Sequence, residues 1–401
     1  MTGTVVILGG ADGSTSTYRR ARELGYRTVC VDRRTDAVAR SLADEFVHVS
    51  IRDPTAIAAA LDGRADIVGV LSPASDTGLS AQRWLARHWE LPDPLAAQVV
   101  HASQDKSYFR AVCHRLGFDS YGYVAGRADA ELAMRAATLR FPVLVKPLDA
   151  QSSRGIQVCA EASELAAAAR EAARFASDGG VIVEEQIAGK HYSAEVFVDR
   201  GRIVFIGVSA RTLTPAPHFV TVEHRVPADL AVEQRWELTD MLNELITELG
   251  YRRGPLTVDV IVDSFGTLHL IEMGARVGGN GLGELFRHAY GVDTVGASIE
   301  AATGGSVDVL PTRSRATVSG VLYTDDAGVI AQVRGADDAA AAIPELAELV
   351  LFVRPGQEVR PYHNAANKLG HFIVVADLPD RAAEAADAVR ARLRFDLSGA
   401  A

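Results

Sequence analysis

Phe141-Pro142-Val143-Leu144-Val145-Lys146-Pro147, followed by Gln151-Ser152-Ser153-Arg154-Gly155-Ile156-Gln157-Val158, is the stretch that decides the fold. The first segment reads as a strand carrying a lysine, the next as a small-residue turn with an arginine, and the last as a second strand. Such a hairpin sets two cations and several backbone amides around phosphate oxygens, and it can close as a lid. A lysine with a buried stem and a solvated charge fits the same residues, so this strand alone leaves Lys146 open.

A second pair of strands supplies the opposite charge. Leu256-Thr257-Val258-Asp259-Val260-Ile261-Val262 and Leu268-His269-Leu270-Ile271-Glu272-Met273 are separated by a short turn at Asp263 to Gly266. Paired antiparallel, they carry Asp259 and Glu272 out of otherwise apolar segments into one site. Two hard oxygen ligands suit magnesium that is also held by nucleotide phosphates. Ordinary edge polarity or a salt bridge is the alternative for either acid taken singly.

Outward toward the amino terminus, Thr4-Val5-Val6-Ile7-Leu8 leads into Gly9-Gly10-Ala11-Asp12-Gly13-Ser14, a helical pattern, a second strand at Tyr26 to Val31, and Asp32. This is a Rossmann-like opening, although its glycines do not follow GxGxxG spacing. Anion contact and a purely structural turn both fit the loop. Leu91-Pro92-Asp93-Pro94 marks a boundary. A helix through Lys106, Phe109, Val112 and Leu116 is expected to end near Gly117, an alanine-rich helix to run from Glu164 to Phe175, and a last helix from Ala383 to Leu393.

The chain has 401 residues, more than one core usually organises, with 48% hydrophobic and 23% charged residues. A formal net charge of -10, without a basic tail or stripe, argues against nucleic acid as a partner. Cys30, Cys113 and Cys159 form no CxxC pair, and no apolar span approaches the roughly 20 residues that cross a bilayer. The cytoplasm is the expected compartment, with no membrane partner.

Together these residues resemble the ATP-grasp superfamily, in particular its amino acid and peptide (carboxylate-amine) ligases. The resemblance rests on an ordered set: Asp105-Lys106, the lysine strand with its Ser/Arg/Gly loop, Val183-Glu184-Glu185, Asp259, and Glu272 through Arg276. It implies an α/β ATP-grasp fold with an N-terminal Rossmann-like domain over 1–97 and an ATP-binding small subdomain with a phosphate lid over 98–185. A central domain with metal and substrate sites over 186–305 and a C-terminal α+β domain over 306–401 complete it.

The resemblance also implies roles. Lys106 and Lys146 match the phosphate-directed lysines, and Ser152, Ser153, Arg154 and Gly155 the phosphate lid. Glu184, Glu185, Gln186 and Ile187 correspond to the adenine hinge, and His191 stands at the ribose-facing position where glutamate is common. Asp259 and Glu272 fall at the magnesium positions, while Gly274 replaces an asparagine that is a frequent third ligand. Asn280 compensates only if the glycine turn brings it back into the site. Arg276 matches a substrate-side arginine and, with Lys146 and Arg154, forms the catalytic set. Arg211, Glu223 and His224 resemble a substrate wall, each with a salt-bridge alternative; bracing of the glycine turn is the alternative for Arg276.

The implied reaction joins a small carboxylic acid to an amine, amino acids or related compounds, through an acyl phosphate, with ATP and Mg2+ as cofactors. The resemblance admits a homodimer. Rival readings are an ATP-grasp ligase of nucleotide or other small-metabolite biosynthesis and a non-catalytic, ATP-responsive interaction protein.

Overall fold

The computed structural model describes residues 3–92, 95–118, 121–151 and 153–399. Asp93 and Pro94 of the expected boundary lie outside that set, as does Ser152 of the expected lid.

The chain opens with β1 (Thr4–Leu8), α1 (Thr15–Glu23), β2 (Arg27–Val31), β3 (Glu45–Val47), α2 (Pro54–Ala60), β4 (Ile67–Leu71) and α3 (Leu79–His88). Its strands form a four-stranded parallel sheet in the order β3-β2-β1-β4. All five residues of β1 are buried, as expected for a parallel strand covered on both faces. Val6 and Leu8 pack toward α2 and α3, whereas Val5 and Ile7 pack toward Tyr18 and Ala21 of α1. Asp32, just after β2, accepts from the Gly10 amide at 2.9 Å and pairs with Arg34, so the glycine loop is tied down by the chain's own acid.

Next come α4 (Ala97–Gln104), α5 (Lys106–Arg115), β5 (Tyr123–Arg127), α6 (Ala130–Ala136), β6 (Val143–Pro147), β7 (Gln157–Cys159), α7 (Leu165–Ala173) and β8 (Gly180–Glu185). These strands make an antiparallel sheet, β5-β8-β6-β7. Val143 and Val145 face the core formed with Leu165, Ala169 and Ala172. The two-residue period of the strand therefore turns Leu144 and Lys146 to the opposite face.

The remainder holds β9 (Gly189–Asp199), β10 (Arg202–Leu213), β11 (Thr221–Val226), α8 (Val232–Glu248), β12 (Gly254–Asp263), β13 (Leu268–Gly274), α9 (Leu282–Tyr290) and α10 (Thr294–Thr303). Then follow β14 (Ala316–Leu322), β15 (Gly328–Arg334), α11 (Ala336–Ala342) and β16 (Leu346–Leu351). The chain closes with β17 (Glu358–Val359), β18 (Gly370–Ala376), α12 (Pro379–Arg392) and β19 (Arg394–Ser398). One eight-stranded sheet, β13-β12-β9-β10-β11-β14-β18-β16, spans this region, with a smaller β17-β15-β19 sheet beside it. Because β11 pairs with β14, the sheet is shared across residues 305 and 306.

Leu238, Leu242 and Leu245 of α8 pack on Val196, Val258 and Val260. Ala382, Ala386 and Val389 of α12 cover Val318, Phe372 and Val374. The last helix starts at Pro379, four residues before the apolar pattern becomes readable, since proline at the first turn forfeits no helical hydrogen bond. No helix among the described residues is long and apolar enough to cross a membrane.

Candidate active site

Lys146 reaches across from β6 to β8, where its Nζ lies 2.7 Å from Glu184 Oε2. Arg110 of α5, almost wholly buried, stands 3.8 Å from the other Glu184 oxygen, and Tyr121 donates to it at 3.4 Å. Burial raises the Glu184 carboxyl, and Lys146 and then Arg110 more than offset this, leaving it below its ordinary value. Glu184 is thus an ionised anchor for two cations. Its neighbour Glu185 is occupied by the Arg140 side chain at 2.9 and 2.6 Å. Gln186 and Ile187 continue the wall, and Gln186 donates its backbone amide to Pro142 O at 3.0 Å.

A slot of about 130 Å3 lies between the two sheets. Leu144, Ile156, Ile187, Leu213 and Ile271 supply apolar walls, while Lys106, Lys146, Arg154 and His191 supply polar ones. Burial, then Arg211, lowers the His191 imidazole, so it is neutral near pH 7. The lid turn is left-handed at Ser153 (φ 59°) and Gly155 (φ 76°), Ser153 Oγ donates to Phe219 O at 3.2 Å, and the Arg154 guanidinium lies over the Phe175 ring.

The slot shares Lys106, Arg211, Asp259 and Glu272 with a wider cavity of about 420 Å3. Asp259 of β12 and Glu272 of β13 are direct cross-strand partners. Lys106, in the first turn of α5 behind its Asp105 cap, donates to Ala150 O at 2.7 Å and lies 3.9 Å from Glu272. Ser193 donates to Asp259 Oδ1 at 3.1 Å, and Arg211 pairs with Oδ2. Arg211 also donates to Thr221 Oγ1 at 2.6 Å, so its guanidinium faces the acid expected at the metal.

Also lining the wider cavity, Arg276 donates to Asp76 Oδ2 at 3.0 Å and to Val277 O at 3.2 Å. Asp76 belongs to the N-terminal domain, in the turn after β4, and only 4% of it is exposed. Burial raises its carboxyl above the ordinary range, with Arg276 acting against it. Beneath the turn, fully buried Glu195 accepts the Gly278 amide at 3.0 Å; burial pushes its carboxyl up to about 8. Asn280 (φ 55°) lines the cavity, and its Oδ1 accepts from Lys368, which also pairs with Asp12 at 2.6 Å.

His224 lines this cavity as a buried neutral ring, pushed down to about 3 by burial and then by Arg211, with Ser209 at 3.0 Å from Nδ1. Glu223 is elsewhere. Its buried carboxylate is held by Arg225 and by Arg390 of α12, and it lines neither cavity, which removes it from the expected substrate wall. Asp76, Ser193, Glu195, Arg110 and Lys368 are the polar groups of this region that motif reading missed. Sequence reading gave none of them a role, because they act through contacts made after the sheets assemble.

The family model for the ATP-grasp domain matches residues 139–284, and that for L-amino acid ligase C-terminal domain 2 matches residues 320–398. The chain thus contains an ATP-grasp domain over residues 139–284.

Similarity extends beyond the matched segments. The chain is 30% identical over 315 residues to the uncharacterized protein y4rH of Sinorhizobium fredii, covering 78% of this chain and 64% of that one. It is 30% identical over 183 residues to the D-alanine–D-alanine ligase of Ectopseudomonas mendocina, covering 43% and 55%. The chain thus spans between half and two thirds of the length of these relatives. The crystal structure of an L-amino acid ligase from Bacillus licheniformis superposes with a TM-score of 0.84 over 99% of both chains at 17% identity, a likeness of fold.

Proposed function

We propose that this ATP-grasp chain is an ATP-dependent ligase that joins a small carboxylic acid, most readily an amino acid, to an amine and releases ADP and phosphate. The observation that carries the reading is the meeting of slot and cavity at Lys106, Asp259 and Glu272. Phosphate charge held in the slot and a carboxylate held in the cavity would face each other there. The match of residues 320–398 to an L-amino acid ligase domain, and the D-alanine–D-alanine ligase relative, support amino acids as substrates. Three free, buried cysteines and the absence of a spanning helix among the described residues accord with a cytoplasmic location.

The slot suits ATP by its chemistry: apolar walls for a base, Lys146 and Arg154 for phosphates, and Lys106 where the slot meets the cavity. Asp259 and Glu272 fit magnesium, whose charge would neutralise the β- and γ-phosphate oxygens. The Glu184 carboxylate holds the Lys146 ammonium in place, so little side-chain freedom is lost when phosphate arrives. Arg211 must release one Asp259 oxygen as the cation binds, which frees its guanidinium for a substrate carboxylate.

In the first step a substrate carboxylate oxygen bonds to the γ-phosphorus, the bond to the bridging oxygen breaks, and ADP leaves. In the second the amine bonds to the acyl carbon, the carbon–oxygen bond breaks, and phosphate departs with that oxygen. Arg276, whose buried Nε has no partner among the described residues, would hold the charge of both steps. A free amine is nucleophilic once deprotonated, so no histidine base is required.

A matrix of acids and amines assayed for ADP release, with mass analysis of products, tests the reading. ADP formation should rise strongly only with a competent acid. ATP consumption that is equal with and without acid would reject it.

A further inference from the structure

We propose that Asp76, carried by the N-terminal domain, presents its Oδ1 as a third oxygen ligand, beside Asp259 and Glu272, to the divalent cation of the site. The inference rests on the ligase reading above, and it begins from a glycine.

Gly274 sits in β13, two residues after Glu272, so a side chain there would point to the same face as the Glu272 carboxylate. A strand interior disfavours glycine, and one reason to find it is close approach of another segment. Backbone conformation gives no such reason, because Gly274 is not among the positive-φ residues. Space does: a Cβ at 274 would stand 2.5 Å from Asp76 Oδ1 and 3.2 Å from its Cγ. The Asp76 carboxylate therefore fills the volume that the side chain of residue 274 would take. An asparagine or aspartate at 274 would hold its own Oδ1 about 2.4 Å from its Cβ, nearly the distance at which Asp76 Oδ1 is found.

The two Asp76 oxygens are not alike. Oδ2 accepts from Arg276 at 3.0 Å, whereas Oδ1 is buried without a hydrogen-bond partner among the described residues. A buried carboxylate oxygen left without a partner is costly. Asp76 lines the wider cavity with Asp259, Glu272 and Arg276, and the charges of Glu272 and Lys106 both act on it. Asp76, Asp259 and Glu272 line this one cavity from two domains, with hard oxygens of the kind a small divalent cation takes, while the guanidinium on Oδ2 balances part of their charge.

The turn is also held for this role. Gln104 Nε2 donates to Asp76 O at 2.6 Å, and the Gln151 amide, turned with its oxygen inward, accepts from Asp76 N at 3.0 Å and Thr77 N at 2.9 Å. Gln151 begins the expected lid segment, so that segment and the turn that carries Asp76 share a backbone contact.

The experiment titrates Mn2+ against the full chain in the presence of ADP, with free Mn2+ read by electron paramagnetic resonance and folding by circular dichroism. Wild type is compared with Asp76→Asn, Asp76→Ala, Gly274→Asn and the double variant Asp76→Ala/Gly274→Asn. The expected result is Mn2+ affinity lowered on the order of 10-fold in Asp76→Ala, and less in Asp76→Asn, which keeps a neutral oxygen. The double variant should recover affinity, since the new side chain enters the vacated space, whereas Gly274→Asn alone should bind poorly because it meets Asp76. Wild-type affinity in folded Asp76→Ala overturns the proposal, as does failure of the double variant to exceed Asp76→Ala. No Mn2+ binding by wild type overturns it together with the ligase reading, while the first two outcomes leave that reading standing.

Discussion

Arg276 shows how much one residue carries that its motif does not. The Glu272-to-Arg276 pattern made it a candidate, but not its pairing with Asp76, 200 positions away. That partner supports both functions considered for it, since the acid that braces the guanidinium leaves Nε without a hydrogen-bond partner among the described residues. Arg276→Lys keeps charge and loses the planar fork, so acid-stimulated turnover should fall on the order of 10²-fold while nucleotide affinity holds. Melting temperature and nucleotide affinity falling together, with no separate loss in turnover, would reduce Arg276 to a brace. Glu195 carries a different signature. Its folded value of about 8 lies above the ordinary 4.5, so its contribution is fully present below about pH 4.5 and lost as pH rises toward 8. Glu195→Gln accepts the Gly278 amide and takes up no proton. Its stability relative to wild type should therefore grow with pH, by on the order of 1.4 kcal/mol per unit in that window. Urea unfolding at pH 5.5 and 7.5 checks this, and parallel pH dependence in the two proteins would exclude it. Lys146, Asp259 and Glu272 could be picked out from strand period and spacing, whereas Lys106, on a helix, was singled out only by the ATP-grasp resemblance. Glu223 misled because its partner Arg390 comes from a helix near the other end of the chain.

Among the elements, the two hairpins were readable and their surroundings were not. Lys146 faces the slot because Val143 and Val145 claim the core, a two-residue period visible in the sequence. The lid's shape depends on Gly155, where φ is +76° and a Cβ would come within 2.7 Å of Phe175 Cδ2 and 2.9 Å of Pro147 Cγ. Gly155→Ala should cost about 1 kcal/mol or more in the closed lid and raise the dissociation constant for a non-hydrolysable ATP analogue several-fold. Because the lid is a surface hairpin, the melting temperature should move little; calorimetric affinity equal to wild type would show that the lid does not close on phosphate. The start of α12 escaped reading because Pro379, Asp380 and Arg381 show no apolar period, although proline is at home in a first turn. Gly274 reads as a gap in a strand until Asp76 is set against it.

The molecule as a whole arranges three segments around one cavity. Lys368, from the last quarter of the chain, ties Asp12 of the N-terminal domain to Asn280 of the glycine turn. Ile299 and Ala302 of α10 pack into the N-terminal core with Val5 and Ile7. The pairing of β11 with β14 makes one sheet of segments that the family resemblance had implied dividing at 305. Such arrangements are long-range, and local pattern carries no record of them. Their consequence is chemical: a carboxylate in the wider cavity and phosphate in the slot would meet only at the shared wall. The most direct measurement is therefore the fate of oxygen. With a competent acid labelled with 18O in its carboxylate, together with ATP and an amine, the account predicts inorganic phosphate carrying one 18O per amide formed. Amide formation with unlabelled phosphate, or with AMP and pyrophosphate in place of ADP and phosphate, would contradict it.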